Sequence, residues 1–364
     1  VRFAFTDQQR AFRDAVHQVL ERECTTADLR AAYAAPSARS PRWDTLAEMG
    51  VVGLTVPEPS GGLGLALVDL VTLLEEAGAV ALPEPLADTT AVAAPLLDQL
   101  VQARPAGTDT LLPGVAKWLE GIASGRVTAA VAESPSPDVP VAGADGADLL
   151  VLVSTDDDGP ALHLVGADRV SVTPVPSLDP TRRLGRPVWT PDRGTRVAVG
   201  PVAADLIRRT ADRASVATAA GLLGLSQRMI AMAADYARAR HQFGHPIGSF
   251  QAVKHLLAGA QVRLEFARPV VYAAAWADDH DRPDRSRAAS VAKAYASDTA
   301  TEAARVALQV HGAIGYTWEC DLHLFLKRAW ALSAAWGSAA DHRRSVLDAL
   351  VAPDGAEAQG TAKA

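Results

Sequence analysis

The sequence predicts three consecutive regions. These are an N-terminal α-helical domain over 1–124, a small middle β domain over 125–202 and a C-terminal antiparallel four-helix bundle over 203–350. A flexible tail is expected at 351–364. Three observations carry this reading. Apolar residues recur at helical spacing through the first third of the chain. Short β-rich runs punctuated by Pro, Gly and Asp occupy the middle. Long alanine-rich amphipathic runs joined by short links fill the last third.

In the first region "TDQQRAFRDAVHQVLERE" opens with a Thr6/Asp7 cap and sets Phe12, Val16, Val19 and Leu20 on one face. "RWDTLAEMGVVGL" reads as a second helix, stopped by glycine, and "LALVDLVTLLEEAGAVAL" as a third after the loop "PEPSGGLG". That loop holds Gly62 and Gly64 but no third glycine at dinucleotide spacing and no preceding strand, so no nucleotide is expected there. In the second region "VTAAVAE", "DLLVLVS", "ALHLVGA", "VSVTPV" and "TRVAVG" read as strands, and their close spacing favours a compact sandwich or barrel. The third region begins with a run from Ala203 to Arg240 that would extend on the order of 50 Å. "SFQAVKHLLAGAQVRLEFARPVVYAAAWADDH", "RSRAASVAKAYASDTATEAARVALQVHG" and "CDLHLFLKRAWALSAAWGSAADHRRSVLDALV" complete a set of four helices.

Composition narrows the function classes. At 364 residues and 49% hydrophobic content, two or three ordinary globular domains are expected. The 35 basic and 42 acidic residues are spread along the chain, which argues against nucleic acid as a partner. Two cysteines, Cys24 and Cys320, do not make a disulfide framework, and a cytoplasmic location is expected. The opening residues turn polar by Thr6, so no signal peptide is expected. No uncharged apolar run reaches the ~20 residues of a membrane span, so no membrane is expected either.

Two polar segments carry candidate chemistry. Arg240, Gln242 and Phe243 stand where the long helix ends at Gly244. An arginine there can pair bidentately with a phosphate, and the phenylalanine can cover a ring or a sugar face. The same residues also fit a capping turn with a surface arginine and a core phenylalanine. "QVHGAIGYTWE" offers the Gln309 amide, and Gly312 and Gly315 let a backbone approach a ligand closely; a glycine-rich helix–helix turn fits equally well. His241 and His245 are four apart, but Gly244 and Pro246 break the helix face that ligation would need, so no metal is expected.

These segments, in this order of domains, resemble the acyl-CoA dehydrogenase family. "GLSQRMIAMAADYARARHQFGHPIGSFQAVKHLLA" is similar to its most characteristic stretch and "QVHGAIGYTWECDLHLFLKRA" to its second. The resemblance implies an acyl-CoA dehydrogenase-like fold, FAD, a tetramer and α,β-dehydrogenation of an acyl-CoA thioester. An electron acceptor such as an electron-transfer flavoprotein goes with it. In the family a carboxylate takes the α-proton and the flavin takes the β-hydride. The two motifs there reach across a dimer to the neighbour's FAD. Here they match Arg240, Gln242 and Phe243, and Gln309, Gly312 and Gly315.

The departures fall on the chemistry. Where most members carry Glu in a Y-E-G-T loop, this chain reads "AWGS", with Trp336 in place of the base. Where a minority carry it on the first bundle helix, this chain has Ala214 followed by Ser215. The nearest acids are Asp205, Asp212 and Glu319; of these Glu319 and Asp212 are the candidates for a relocated base, although Asp212 is expected to face away. The flavin-facing strand is reduced to "AESPSPDVP", in which Glu133 survives, and the following Trp-Ile-Thr-type contact is missing. Contacts to a neighbour's flavin are thus kept while those to the chain's own flavin are eroded. The expectation is the non-catalytic half of an α2β2 dehydrogenase, of the kind that degrades bulky steroid side chains. Alternatives are a homotetramer with a relocated base, a flavin monooxygenase or acyl-carrier-protein oxidase on the same fold, and a flavin-free scaffold.

Overall fold

Residues 4–37, 39–103, 112–156 and 159–351 are described by a computed structural model; of the expected tail, Val351 ends a helix and 352–364 lie outside the described residues. Helix α1 (Asp7–Glu23) starts at the Thr6 cap, where Thr6 and Gln9 satisfy each other's backbone N–H groups. Val16 and Leu20 are buried, and Phe12 packs beside them. A helix not anticipated from the sequence follows, α2 (Thr26–Ala34), capped by Thr25 with Asp28. Its nine residues carry one buried side chain, Leu29, too few for a periodic signal. Helices α3 (Pro41–Glu48) and α4 (Leu67–Ala79) come next, separated by the glycine-rich loop. In that loop a Cβ on Gly62 would lie 2.1 Å from the Val56 carbonyl oxygen, so this glycine serves packing. A π-helical stretch (Ala87–Ala93) runs into α5 (Ala94–Ala103), and α6 (Leu112–Ala123) closes the region.

Among the described residues the middle region holds six strands. Strands β1 (Ala129–Val131), β2 (Leu149–Asp156), β3 (Gly159–Gly166) and β6 (Arg196–Val199) form one sheet in the order β1-β2-β3-β6. Strands β4 (Ser171–Pro174) and β5 (Gly185–Val188) form a separate pair. The first pairing, β1 with β2, is parallel, and the remaining pairings are antiparallel. Side chains alternate across β2: Leu149 and Val151 join the main core, while Leu150 and Leu152 build a second small core with Val141 and Val165. Strand β5 was not expected, because Pro187 in a four-residue run reads as turn.

The third region is built on α7 (Gly200–Ala239), α8 (Gln251–Asp279), α9 (Arg285–His311), α10 (Leu322–Ala334) and α11 (Ala339–Val351). The most apolar window of α7 is long and apolar enough for a membrane, but 72% of it is buried inside the protein. It is a core helix, packed on α4, α8, α9 and α10. Where α4 crosses α7 the backbones almost touch: a Cβ on Gly224 would fall 1.8 Å from the Glu75 carbonyl oxygen, and one on Gly78 2.1 Å from that of Gly221. The last helix expected from the sequence is two helices. The chain breaks at Trp336 (φ 56°) and Gly337 (φ 95°), and Ser338 with Asp341 caps α11. The fully buried Lys293 ammonium donates to the carbonyls of Ser333 (3.1 Å) and Gly337 (3.0 Å), which the break leaves without helical partners.

Candidate functional site

Two places on the molecule hold most of the residues singled out for flavin binding and the position of the missing base. The first is one end of the helical bundle. Helix α7 ends at Ala239, and Arg240–Pro246 turns back through the two-residue strands β7 (His241–Gln242) and β8 (His245–Pro246). Phe243, at φ 53°, and Gly244, at φ 81°, make the tight turn. Tyr236, one turn before Arg240, stacks on His311 with ring centroids 4.6 Å apart. That contact ties the end of α7 to the end of α9, where Gln309, Gly312 and Gly315 lie.

Most of this set is exposed and unengaged. Arg240, Gln242, Gln309 and Gly312 are exposed, and Phe243 is 90% exposed. The guanidinium of Arg240 and the amide of Gln309 have no hydrogen-bond partner among the described residues, and Gln242 bonds only to the carbonyl of His241 (2.8 Å). Phe243 is therefore not the core residue that the alternative reading of the turn requires. A Cβ on Gly312 would meet nothing within 4 Å, but φ 65° disfavours any other residue there. Gly315 differs: it is buried, and a Cβ would lie 2.9 Å from Leu308 Cδ1, so its missing side chain serves internal packing. The set fits a bound group with an anionic and a planar part, approached from outside the chain.

The second place is a cavity of about 120 Å³ between α4, the 82–88 loop, the 142–143 and 181–183 segments, α7 and α10. Trp336 lines it. Ala214 does not; it is buried, and the α7 lining begins one turn later, at Ala217. Neither expected acid reaches it. Asp212 accepts a hydrogen bond from Ser286 (2.5 Å) and faces Arg208 at 3.7 Å; burial pushes its carboxyl up, with those partners opposing. Glu319 is exposed on the α9–α10 turn. Asp205 pairs with Arg208 and Arg209.

The acids and bases that do line the cavity were missed in the sequence. Asp88 faces it with no hydrogen-bond partner among the described residues. Burial raises its carboxyl to about 6, with Arg182 opposing that rise and Glu133 adding to it. Arg182 makes one long bond, to the carbonyl of Ala331 (3.5 Å), and burial holds its guanidinium below its ordinary value. Arg183 donates to the Asp145 carbonyl, and its buried Nε has no partner. Two other charged liners are neutralised: Arg328 by Asp179, and Glu84 by Arg42 at 2.7 Å. Behind Trp336, Glu133 accepts that residue's backbone N–H at 2.8 Å. Burial pushes the Lys293 ammonium down to about 8, while Glu133 opposes that fall. The signal for Arg182 and Asp88 was faint, an adjacent arginine pair in "LDPTRRLGR" and the second of two acids in "PEPLADTT". Among the described residues no group of three or more His, Cys, Asp or Glu side chains is placed to hold a metal.

A stability prediction follows from Asp88. An acid whose folded value is raised binds its proton more tightly in the native state than in the unfolded chain. Its ionisation then costs stability, in full above about pH 6 and not below the unfolded value of about 4. Asp88→Asn is expected to raise the unfolding free energy at pH 8 by about 1–3 kcal/mol and to leave it unchanged near pH 4. Urea denaturation at the two pH values measures this.

The chain is similar to known proteins along most of its length. A family model described as acyl-CoA dehydrogenase, N-terminal domain, matches residues 6–126, and one described as acyl-CoA dehydrogenase, C-terminal domain, matches 204–351. The chain is 32% identical over 331 residues to acyl-CoA dehydrogenase IpdE2 of Mycobacterium tuberculosis, spanning 89% of this chain and 91% of that one. Among solved structures it is similar to the Tcur3481-Tcur3483 steroid ACAD, with 26% identity, a TM-score of 0.78 and coverage of 94% and 98% of the two chains. It also superposes on a chain of the ChsE4-ChsE5 complex from Mycobacterium tuberculosis with a TM-score of 0.83 over 97% and 100%; at 23% identity this likeness shows the fold alone.

Proposed function

The chain belongs to the acyl-CoA dehydrogenase family, and from that premise we propose that it is the non-catalytic subunit of a two-chain, FAD-dependent acyl-CoA dehydrogenase. The reaction is α,β-dehydrogenation of an acyl-CoA thioester. Arg240, Gln242, Phe243, Gln309 and Gly312 would hold an FAD bound mostly by a second acyl-CoA dehydrogenase-like chain, in an α2β2 assembly with two flavins. When bound, FAD supplies the acceptor for the β-hydride, and an electron-transfer flavoprotein or a similar acceptor reoxidises it. The partner chain supplies the glutamate that removes the α-proton. The substrate class is a bulky acyl-CoA, such as a steroid side-chain thioester, for which the steroid ACAD is by its name the precedent; the ChsE4-ChsE5 complex is by its name a precedent for two chains only.

The observation that carries the reading is a contrast between the two sites. The surface facing outward keeps exposed, unpartnered Arg240 and Gln309. In the chain's own cleft, Trp336 stands where the family base would be, and its backbone is bonded directly to Glu133 of the reduced flavin-facing segment at 2.8 Å. What this chain does is therefore to bind and orient from the side. Arg240 offers a bidentate guanidinium to a diphosphate, Phe243 offers a ring to the adenosine end, and Gly312 leaves the approach open.

The test is flavin stoichiometry. The chain is expressed alone and together with its genomic neighbour, and flavin absorbance per chain is recorded with native mass. The expected result is a colourless lone chain and a yellow complex with one FAD per two chains. One FAD per chain in a lone homotetramer would overturn it. That outcome would favour the second reading, a homotetramer with a relocated base, for which the cavity-facing Asp88 is the supporting observation.

A further inference from the structure

A buried charge without a counter-charge is costly, and proteins pair such groups or neutralise them. The cavity of this chain breaks that rule in a particular way. Of its charged liners, Arg328 and Glu84 are ion-paired with groups outside it. The unpaired liners are two guanidinium groups, Arg182 and Arg183, and one carboxyl, Asp88. No carboxylate lies within 4 Å of either arginine among the described residues. Glu133, Asp88 and Asp179 oppose the charge of Arg182 from a distance, and Asp145 that of Arg183, but none of these carboxylates touches a guanidinium; the five N–H donors of Arg182 make a single 3.5 Å bond. Leu74, Leu82, Leu86, Leu225 and Leu332 give the lining an aliphatic part. A cavity of about 120 Å³ has room for about four to six non-hydrogen atoms.

We propose that this cavity binds a short carboxylate, with its anionic end on Arg182, Arg183 behind it, Asp88 beside it and its hydrocarbon end on the leucines. A planar carboxylate matches the guanidinium fork and supplies the hydrogen-bond acceptors that Arg182 lacks. A purely apolar guest would leave Arg182 unsatisfied. The carboxylate has two possible sources, a free short acid or the far end of a dicarboxylic acyl thioester. The inference goes beyond the shared-flavin reading and is tested apart from it, because the readout is occupancy of this chain's cavity and not flavin content.

Asp88 gives the site a pH dependence. The charged groups around it are Arg182 and Arg183 from the 181–183 segment, Glu133 after β1 and Arg328 from α10. An ionised Asp88 repels a second carboxylate, so affinity is expected to rise as pH falls through about 6.

The experiment uses the full chain as purified, with its partner where one co-purifies. Propionate, succinyl-CoA and butyryl-CoA are titrated by calorimetry, with ligand-observed NMR for the free acid. Saturable propionate binding that weakens at least tenfold in Arg182→Gln is expected if the free acid is the ligand. Succinyl-CoA binding that weakens tenfold in the same variant, with butyryl-CoA unaffected, assigns the thioester source. Asp88→Asn is expected to tighten binding of the same probe about threefold or more at pH 7.5 and to flatten its pH profile. A damaged fold would not gain affinity, so this variant guards against trivial loss in Arg182→Gln. The proposal is overturned if neither carboxylate saturates the protein, or if both bind Arg182→Gln as they bind the unaltered chain.

Discussion

Gly224→Ala is expected to destabilise the chain by about 3 kcal/mol or more, since its Cβ would make the tightest contact found at any glycine among the described residues. Helices α4 and α7 cross with no space between backbones. The added Cβ would sit 1.8 Å from the Glu75 carbonyl oxygen and 2.5 Å from the Ala79 nitrogen. Neither atom can move without shifting α4 as a whole, because both belong to its hydrogen-bonded last turns. The crossing also sets the cavity, since Leu74, Ala77 and Gly78 of α4 face Ala217, Thr218 and Gly221 of α7 across it. Gly259 is the control: its Cβ would meet nothing within 4 Å, so Gly259→Ala on the exposed face of α8 is expected to be neutral or slightly stabilising. Urea denaturation of the two variants decides the matter. Equal midpoints would mean that the helix crossing is looser than described.

Arg240→Ala is expected to leave the fold unchanged and to strip the proposed complex of its flavin. The side chain has no partner among the described residues, so its removal unpairs nothing. A bidentate guanidinium–phosphate contact contributes about 1.5–3 kcal/mol, which is about ten- to a hundredfold in flavin affinity. The thermal midpoint should stay within about a degree, while FAD retained through gel filtration of the complex falls at least tenfold. Arg240→Lys should recover part of the loss, because an ammonium keeps the charge but not the fork. Unchanged flavin content in Arg240→Ala would favour the flavin-free scaffold.

Much of this was legible from the residues in order, for a definable reason. Helix periods, the Thr6 cap and the β-rich middle are local signals, and each is read within a few positions of where it acts. The two family motifs are local as well, so Arg240, Gln242, Phe243, Gln309 and Gly312 could be named before their exposure was known. The break at Trp336 was missed, although "GS" followed three residues later by Asp341 is a capping signal; the alanine-rich flanks masked it. Asp212 and Glu319 were sought because they lie near the motifs in sequence, and neither lies at the cavity.

Local patterning thus decides the elements, their order and the chemistry carried at their ends. It cannot decide what faces what. Asp88, Arg182 and Trp336 are separated by about a hundred residues or more, and only the packing of α4, the β domain and the bundle brings them to one cavity. Whether a carboxyl there is free, and whether an arginine there is paired, depends on which long-range neighbours the fold supplies. Burial and pairing are properties of three-dimensional contact, and no period along the chain encodes them.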